Sequence, residues 1–216
     1  MEPYRKPAAL SSRFDARRGY EMKQNRQVQR VALVGLLAAL AYVIFTFLQI
    51  KLPLPGGGAV SIHFGNTICV LGALLFGGIW GGLGGAIGMT IGDLFDPIYI
   101  VSAPKTFVLK LFIGLVAGWV GHGLLHLSKH TGRSALVRAT VAAASGMLFN
   151  AVFDPLVGYF YKLYILGKPA AEVALAWDIG VTAFNAVTNT IVAVLLYMVL
   201  RPALARSGLF RDMLKN

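Results

Sequence analysis

The chain has 216 residues, 56% of them hydrophobic and only 13% charged, with a formal net charge of +11 and a mean hydropathy of +0.67. Soluble domains carry about 25% charged residues, so the composition excludes a soluble fold and predicts an all-α polytopic membrane protein. The basic excess does not mark a nucleic-acid binder, because 15 of the 20 Lys/Arg fall in Arg5–Arg30, Ser128–Arg138 and the tail from Arg201.

Those three stretches would share one side of a membrane. Lys51, Lys105, Lys162 and Lys168 would face the other side, with Lys110 inside a span. Positive residues favour the cytoplasmic side, so the expectation is a six-helix transmembrane bundle with both termini cytoplasmic. It divides into a basic arm (1–30), a six-span domain (31–204) and a basic tail (205–216). The arm is polar and clustered in charge, which suits an anionic membrane surface. A cleavable signal peptide is not expected, since Val31–Ile50 is too long for a signal core and lacks a clear cleavage site. The lone Cys69 has no partner for an internal disulfide.

Span 1 is Val31–Ile50, long enough to cross, with Gly35 and Ala39 on one small-residue face. The loop Lys51–Ser61 (KLPLPGGGAVS) cannot be helical, and its two readings are plain connector or lid. Span 2 (about 64–76) is short and meets span 3 (about 79–95) at Gly77–Gly78. Eight glycines lie between Gly77 and Gly92, in the series Gly77–Gly81–Gly85 and Gly84–Gly88–Gly92. Positions four apart share a helix face, and small-xxx-small stripes let membrane helices approach closely. An outer loop with Asp96, Pro97, Tyr99 and Pro104 leads to span 4 (about 106–127), span 5 (about 137–160) and span 6 (about 174–200).

Ionisable groups within spans are expensive, about 2.5–3.5 kcal/mol at the bilayer centre, and so point to function. Here they gather toward the outer half. His63 and Asn66 open span 2, Asp93 and Asp96 close span 3, and Lys105 and Lys110 stand near the start of span 4. Asn150 and Asp154 share a face of span 5, as Asp178, Asn185 and the deeper Asn189 share one of span 6. Five segments meeting at one depth predict an outward-facing polar pocket for a small molecule. His122, His126 and His130 form a second stripe, at the cytoplasmic end of span 4. Imidazoles at that spacing can bind zinc, but no glutamate accompanies them as in H-E-x-x-H. No G-x-x-x-x-G-K-[ST] loop is present, so these residues offer no means of using ATP.

The segments HFGN…LLFGGIWGGLGGAIGMTIGDLF, SAPKTFVLKLFIGLVAG and FNAVTNTIVAVLLYMVLRP resemble the substrate-binding S component of energy-coupling factor (ECF) vitamin transporters, over about residues 31–204. The resemblance implies a bacterial cell-membrane protein that is not an enzyme and needs no cofactor. It implies capture of a vitamin or vitamin precursor from outside, and delivery with a transmembrane T component and two ATPases. Members bind riboflavin, thiamine or its pyrimidine precursor, folate, pantothenate, biotin, pyridoxine or cobalamin. The family's AxxxA docking motif maps onto Gly35-xxx-Ala39, with Gly in place of the first Ala, while the glycine ridge with Gly81 and Gly85 is expected to serve close helix contact, within the chain or with the T component. The family's ligand sites map onto Lys51–His63, Asp96–Lys105, Lys110, Asn150, Asp154, Asp178 and Asn185, which coincide with the pocket read from the residues. The expected binding residues are His63, Asn66, Asp96, Tyr99, Lys105, Lys110, Asn150, Asp154, Asp178 and Asn185. Two other readings stay open: a solitary proton-coupled carrier using Asp154 or Asp178, and a membrane metalloenzyme using His122, His126 and His130.

Overall fold

A computed structural model describes residues 8–54, 58–167 and 171–206. Residues 1–7 of the basic arm, 55–57 of the Gly/Pro loop, Lys168 with its neighbours to 170, and 207–216 of the tail lie outside the described residues. The first helix, α1 (Ala8–Phe47), carries the arm without a break into the apolar span. It ends where two short strands begin, β1 (Gln49–Pro53) and β2 (Ala59–His63). These pair antiparallel, with Gln49 opposite His63 and Pro53 opposite Ala59. The stretch expected as connector or lid therefore carries paired strands on both sides of residues 55–57, and Pro53 sits at a strand end, where a missing N–H is tolerated.

Helix α2 (Gly65–Phe76) is buried along all twelve residues. Gly77, at φ +92°, turns the chain sharply into α3 (Gly78–Leu94), a backbone conformation for which glycine is suited. A short 3-10 turn (Ile100–Ser102) leads to α4 (Ala103–Gly118), which widens into a π turn (Trp119–Leu124). Helix α5 (Gly132–Phe160) ends in a second π turn (Tyr161–Ile165), and α6 (Ala171–Arg206) is the last element among the described residues.

The glycine stripe explains how these helices pack. A Cβ on Gly81 would lie 2.0 Å from the Ala73 nitrogen, and one on Gly85 2.1 Å from Cys69 Sγ, so α2 and α3 touch backbone to backbone. On other faces of α3, Gly82 meets Gly114 of α4, and Gly88 meets Ala38 and Ala41 of α1. Lipid gives no hydrophobic push between helices, so this close van der Waals contact holds them together. Gly81 and Gly85, expected to serve close helix contact within the chain or with a partner, make that contact within the chain. Gly35 differs: nothing lies within 4 Å of its would-be Cβ, and it faces outward with Leu36, Ala39, Leu40 and Val43.

Among the described residues, four helical stretches are long and apolar enough to cross a membrane: Gln27–Phe47, Ile100–Leu124, Gly132–Ile165 and Glu172–Arg206. The six expected spans thus become six helices of two kinds. Helix α2 is only about 18 Å long at 1.5 Å per residue, and meets protein on all sides. Helix α3, with 17 residues, spans about 25 Å, short of the roughly 30 Å hydrocarbon core.

Candidate functional site

At the hairpin end of the bundle, a cavity of about 110 Å³ opens between β2, the tops of α2 and α3, and α4, α5 and α6. Its walls are built from side chains that the sequence scatters over more than a hundred residues.

Two asparagines of α6 hold the hairpin in place. Asn185 Oδ1 accepts the His63 N–H at 3.2 Å, and Asn185 Nδ2 donates to the Ser61 carbonyl at 2.9 Å. One amide side chain thus continues the ladder of β2. One turn further, Asn189 Oδ1 accepts from the Thr67 N–H and hydroxyl, both at 2.8 Å, while Nδ2 donates to the carbonyls of His63 and Asn185. Buried backbone groups need partners, and these two residues supply them where β2 passes into α2. The His63 ring accepts the Gly65 N–H at Nδ1. That places the proton of the neutral ring on Nε2, and the ring packs edge-on against Phe45, with centroids 5.0 Å apart.

The opposite wall is a chain of ions. Asp154 on α5 accepts from Lys105 at 2.6 Å and from Lys110 at 2.9 Å, and Lys110 also donates to Asn150 at 2.9 Å. Pro155 follows Asp154 inside α5. Asp178 on α6 accepts from Lys162 at 2.5 Å. Such pairs are stable in a low dielectric only when well matched and further hydrogen-bonded, and the Lys105–Asp154–Lys110–Asn150 chain meets that condition. Asp93, 2% exposed, lines the same cavity together with Thr106. Three lysines face three aspartates, so the lining carries no net formal charge beyond His63.

The mouth is latched. Lys51 on β1 pairs with Asp96, just after α3. The Ser61 and Tyr99 hydroxyls lie 2.6 Å apart. Burial pushes the Tyr99 hydroxyl up to about 12, so it stays protonated and can donate.

Of the ten site residues expected from the sequence, nine line the cavity: His63, Asn66, Tyr99, Lys105, Lys110, Asn150, Asp154, Asp178 and Asn185. Asp96 lies outside the lining, on the Lys51 latch. The reading missed Lys162, which it had placed in a loop. Its signal was a lone lysine within the aromatic run YFYKLY, where the π turn swings it back to Asp178. It also missed Ser61, Ser102 and Thr182, whose hydroxyls give no periodic signal.

The histidine stripe does not survive folding. α-Helical geometry stops at Gly118, His122 lies in the π turn, His126 is left-handed at φ +49° and His130 is extended. No common helical face remains. His122 Nε2 stands 3.1 Å from the carbonyls of Ala73 and Leu74, which ties the end of α4 to α2. Among the described residues, no group of three His, Cys, Asp or Glu is placed to hold a metal ion.

A model of the family described as ECF-type riboflavin transporter, S component, matches residues 25–202. The chain belongs to that family. It is a multi-pass S component, the vitamin-binding type of membrane subunit in ECF transporters. The match includes the apolar part of α1, helices α2 to α5, most of α6 and both strands, and so every residue that lines the cavity. No curated protein and no solved structure matches the chain significantly.

Proposed function

We propose that this S component captures a flavin, riboflavin itself, in the cavity beneath the hairpin and passes it to an ATP-driven ECF complex. The observation that carries the reading is the cavity's mixture of chemistry within a matched S-component fold. Phe45 and Met89 give a flat ring apolar contact. Asn66, Asn150 and Lys110 offer donors and an acceptor to its polar edge. Lys105, Lys162, Asp178, Ser61 and Tyr99 suit the hydroxyls of a polyol chain. Binding pockets of this kind combine mostly apolar walls with a few fixed polar groups.

At about 110 Å³, the cavity is smaller than the roughly 300–1,000 Å³ of pockets that enclose drug-sized ligands. Entry therefore requires the hairpin to lift, breaking the Lys51–Asp96 and Ser61–Tyr99 contacts together with the Asn185 bonds to His63 and Ser61. The two contacts at the mouth are inexpensive, since an ion pair near the surface contributes about 0–1 kcal/mol and a neutral hydrogen bond about 0.5–1.5 kcal/mol. The buried Asn185 bonds are the larger barrier. The carrier reading is disfavoured, because Asp154 and Asp178 are both engaged by lysines. The outward face of α1 around Gly35 and Ala39 is our proposed contact for the T component. The Lys/Arg content of the basic ends of α1 and α6 supports a cytoplasmic side for them in this reading.

Titration of the purified chain with riboflavin, followed by flavin fluorescence, tests the proposal. Saturable binding at one flavin per chain is expected. No quenching at micromolar flavin, after removal of copurifying ligand, would sink it.

A further inference from the structure

Four buried asparagines stand at or beside this cavity, and three of them have work within the chain. Asn185 and Asn189 hold the β2 and α2 backbone, and Asn150 holds Lys110. Asn66 is different. It is 1% exposed, it lines the cavity from the first turn of α2, and neither its Oδ1 nor its Nδ2 has a hydrogen-bond partner among the described residues.

Leaving both ends of a primary amide unmet is costly, and buried polar groups are nearly always paired. An asparagine amide carries an acceptor and two donors in one plane. Its full complement is a planar edge with one N–H and one C=O side by side, joined by two parallel hydrogen bonds. The neighbouring cations point elsewhere: Lys105 donates to Asp154 and Lys110 to Asn150 and Asp154, and Asn66 Oδ1 receives nothing from either.

We propose that Asn66 is the specificity-determining residue of the site and reads the cyclic amide or imide edge of a planar heterocycle. This rests on the cavity being the ligand site, as proposed above, and narrows what it accepts. In riboflavin the matching edge is the imide, with N3–H as donor and an adjacent carbonyl as acceptor. A site built to hydrogen-bond a donor rejects the analogue that lacks it more strongly than an apolar pocket rejects a missing methylene.

The test compares riboflavin with 3-methylriboflavin, in which the N–H is replaced, on the wild-type chain and on Asn66→Ala, with folic acid and biotin as two other cyclic-amide or cyclic-urea probes. Wild type should bind riboflavin roughly 5- to 150-fold more tightly than the methylated analogue. Asn66→Ala should lose a similar factor for riboflavin and bind the two flavins alike. The analogue arm uses the unmodified chain, so it decides the matter even if the variant folds poorly. Tight riboflavin binding with no discrimination by wild type would overturn the role of Asn66 and leave the flavin reading intact, and discrimination retained by Asn66→Ala would do the same. If wild type ignores riboflavin but binds folic acid or biotin in an Asn66-dependent way, the flavin reading fails and the role of Asn66 stands. Binding of none of these probes overturns the role of Asn66.

Discussion

Asn189 makes four hydrogen bonds with one side chain, accepting two from Thr67 and donating two to the carbonyls of His63 and Asn185. Truncation to alanine leaves the Thr67 hydroxyl and the His63 carbonyl buried without this partner, while the Thr67 N–H keeps the Phe64 carbonyl at 3.0 Å, and each group left unmet costs about 1–3 kcal/mol. Asn66 makes no bond within the described residues, so its truncation strands nothing. Thermal unfolding in detergent should therefore show Asn189→Ala clearly destabilised and Asn66→Ala close to wild type. The reverse order would contradict this division of labour. Both residues looked alike in the sequence, as polar groups on apolar helices. Burial cost flagged them as functional candidates, but whether an amide serves the chain or a ligand depends on what faces it. That information lies 122 or more residues away, in the pairing of α6 with β2 and α2.

At the scale of elements, α3 is a spacer of minimal thickness. Its glycines at four-residue spacing were legible, and so was their purpose of close approach. What the spacing could not say was which helix comes close. Gly81 and Gly85 meet α2, Gly82 meets α4 and Gly88 meets α1, so the ridge is consumed internally. Gly81→Leu places new atoms where the Ala73 backbone already stands, and overpacking of even ordinary core sites costs about 1–3 kcal/mol. That variant should fail to accumulate as a monodisperse protein. Gly35→Leu, with nothing within 4 Å, should fold and bind ligand normally while losing uptake in cells that supply the T component and ATPases. Wild-type unfolding temperature for Gly81→Leu, or wild-type uptake for Gly35→Leu, would refute these assignments. The hairpin was the element least legible, because prolines and successive glycines masked the short alternation Val60-Ser61-Ile62-His63. Its register is set from outside, by Asn185 acting as an extra rung.

At the scale of the molecule, the two ends of the bundle are chemically opposite. The hairpin end holds the cavity and its ion pairs. At the other end, Arg201 on α6 reaches the carbonyl of Ser128 at 3.0 Å, and Arg138 on α5 reaches that of Leu125 at 2.7 Å, so the basic residues gather around the loop between α4 and α5. This asymmetry was readable from charge counts alone, whereas the number of full crossings was not. Hydropathy cannot distinguish a short helix in lipid from one, like α2, enclosed by protein. If the basic end is cytoplasmic, Ser128→Cys should react with a membrane-impermeant thiol reagent only after permeabilisation, and Ile98→Cys should react in intact cells. The opposite pattern would invert the orientation.

The central claim is that the cavity under the hairpin is where the vitamin binds. Riboflavin titration of Asn150→Ala beside His122→Ala addresses it most directly. Asn150 sits in the cavity wall, joined to Lys110, while His122 ties α4 to α2 at the far end. The account predicts a loss of roughly 5- to 150-fold in affinity for Asn150→Ala, and an unchanged Kd for His122→Ala. Equal affinities for the two variants and the wild type would place the ligand elsewhere.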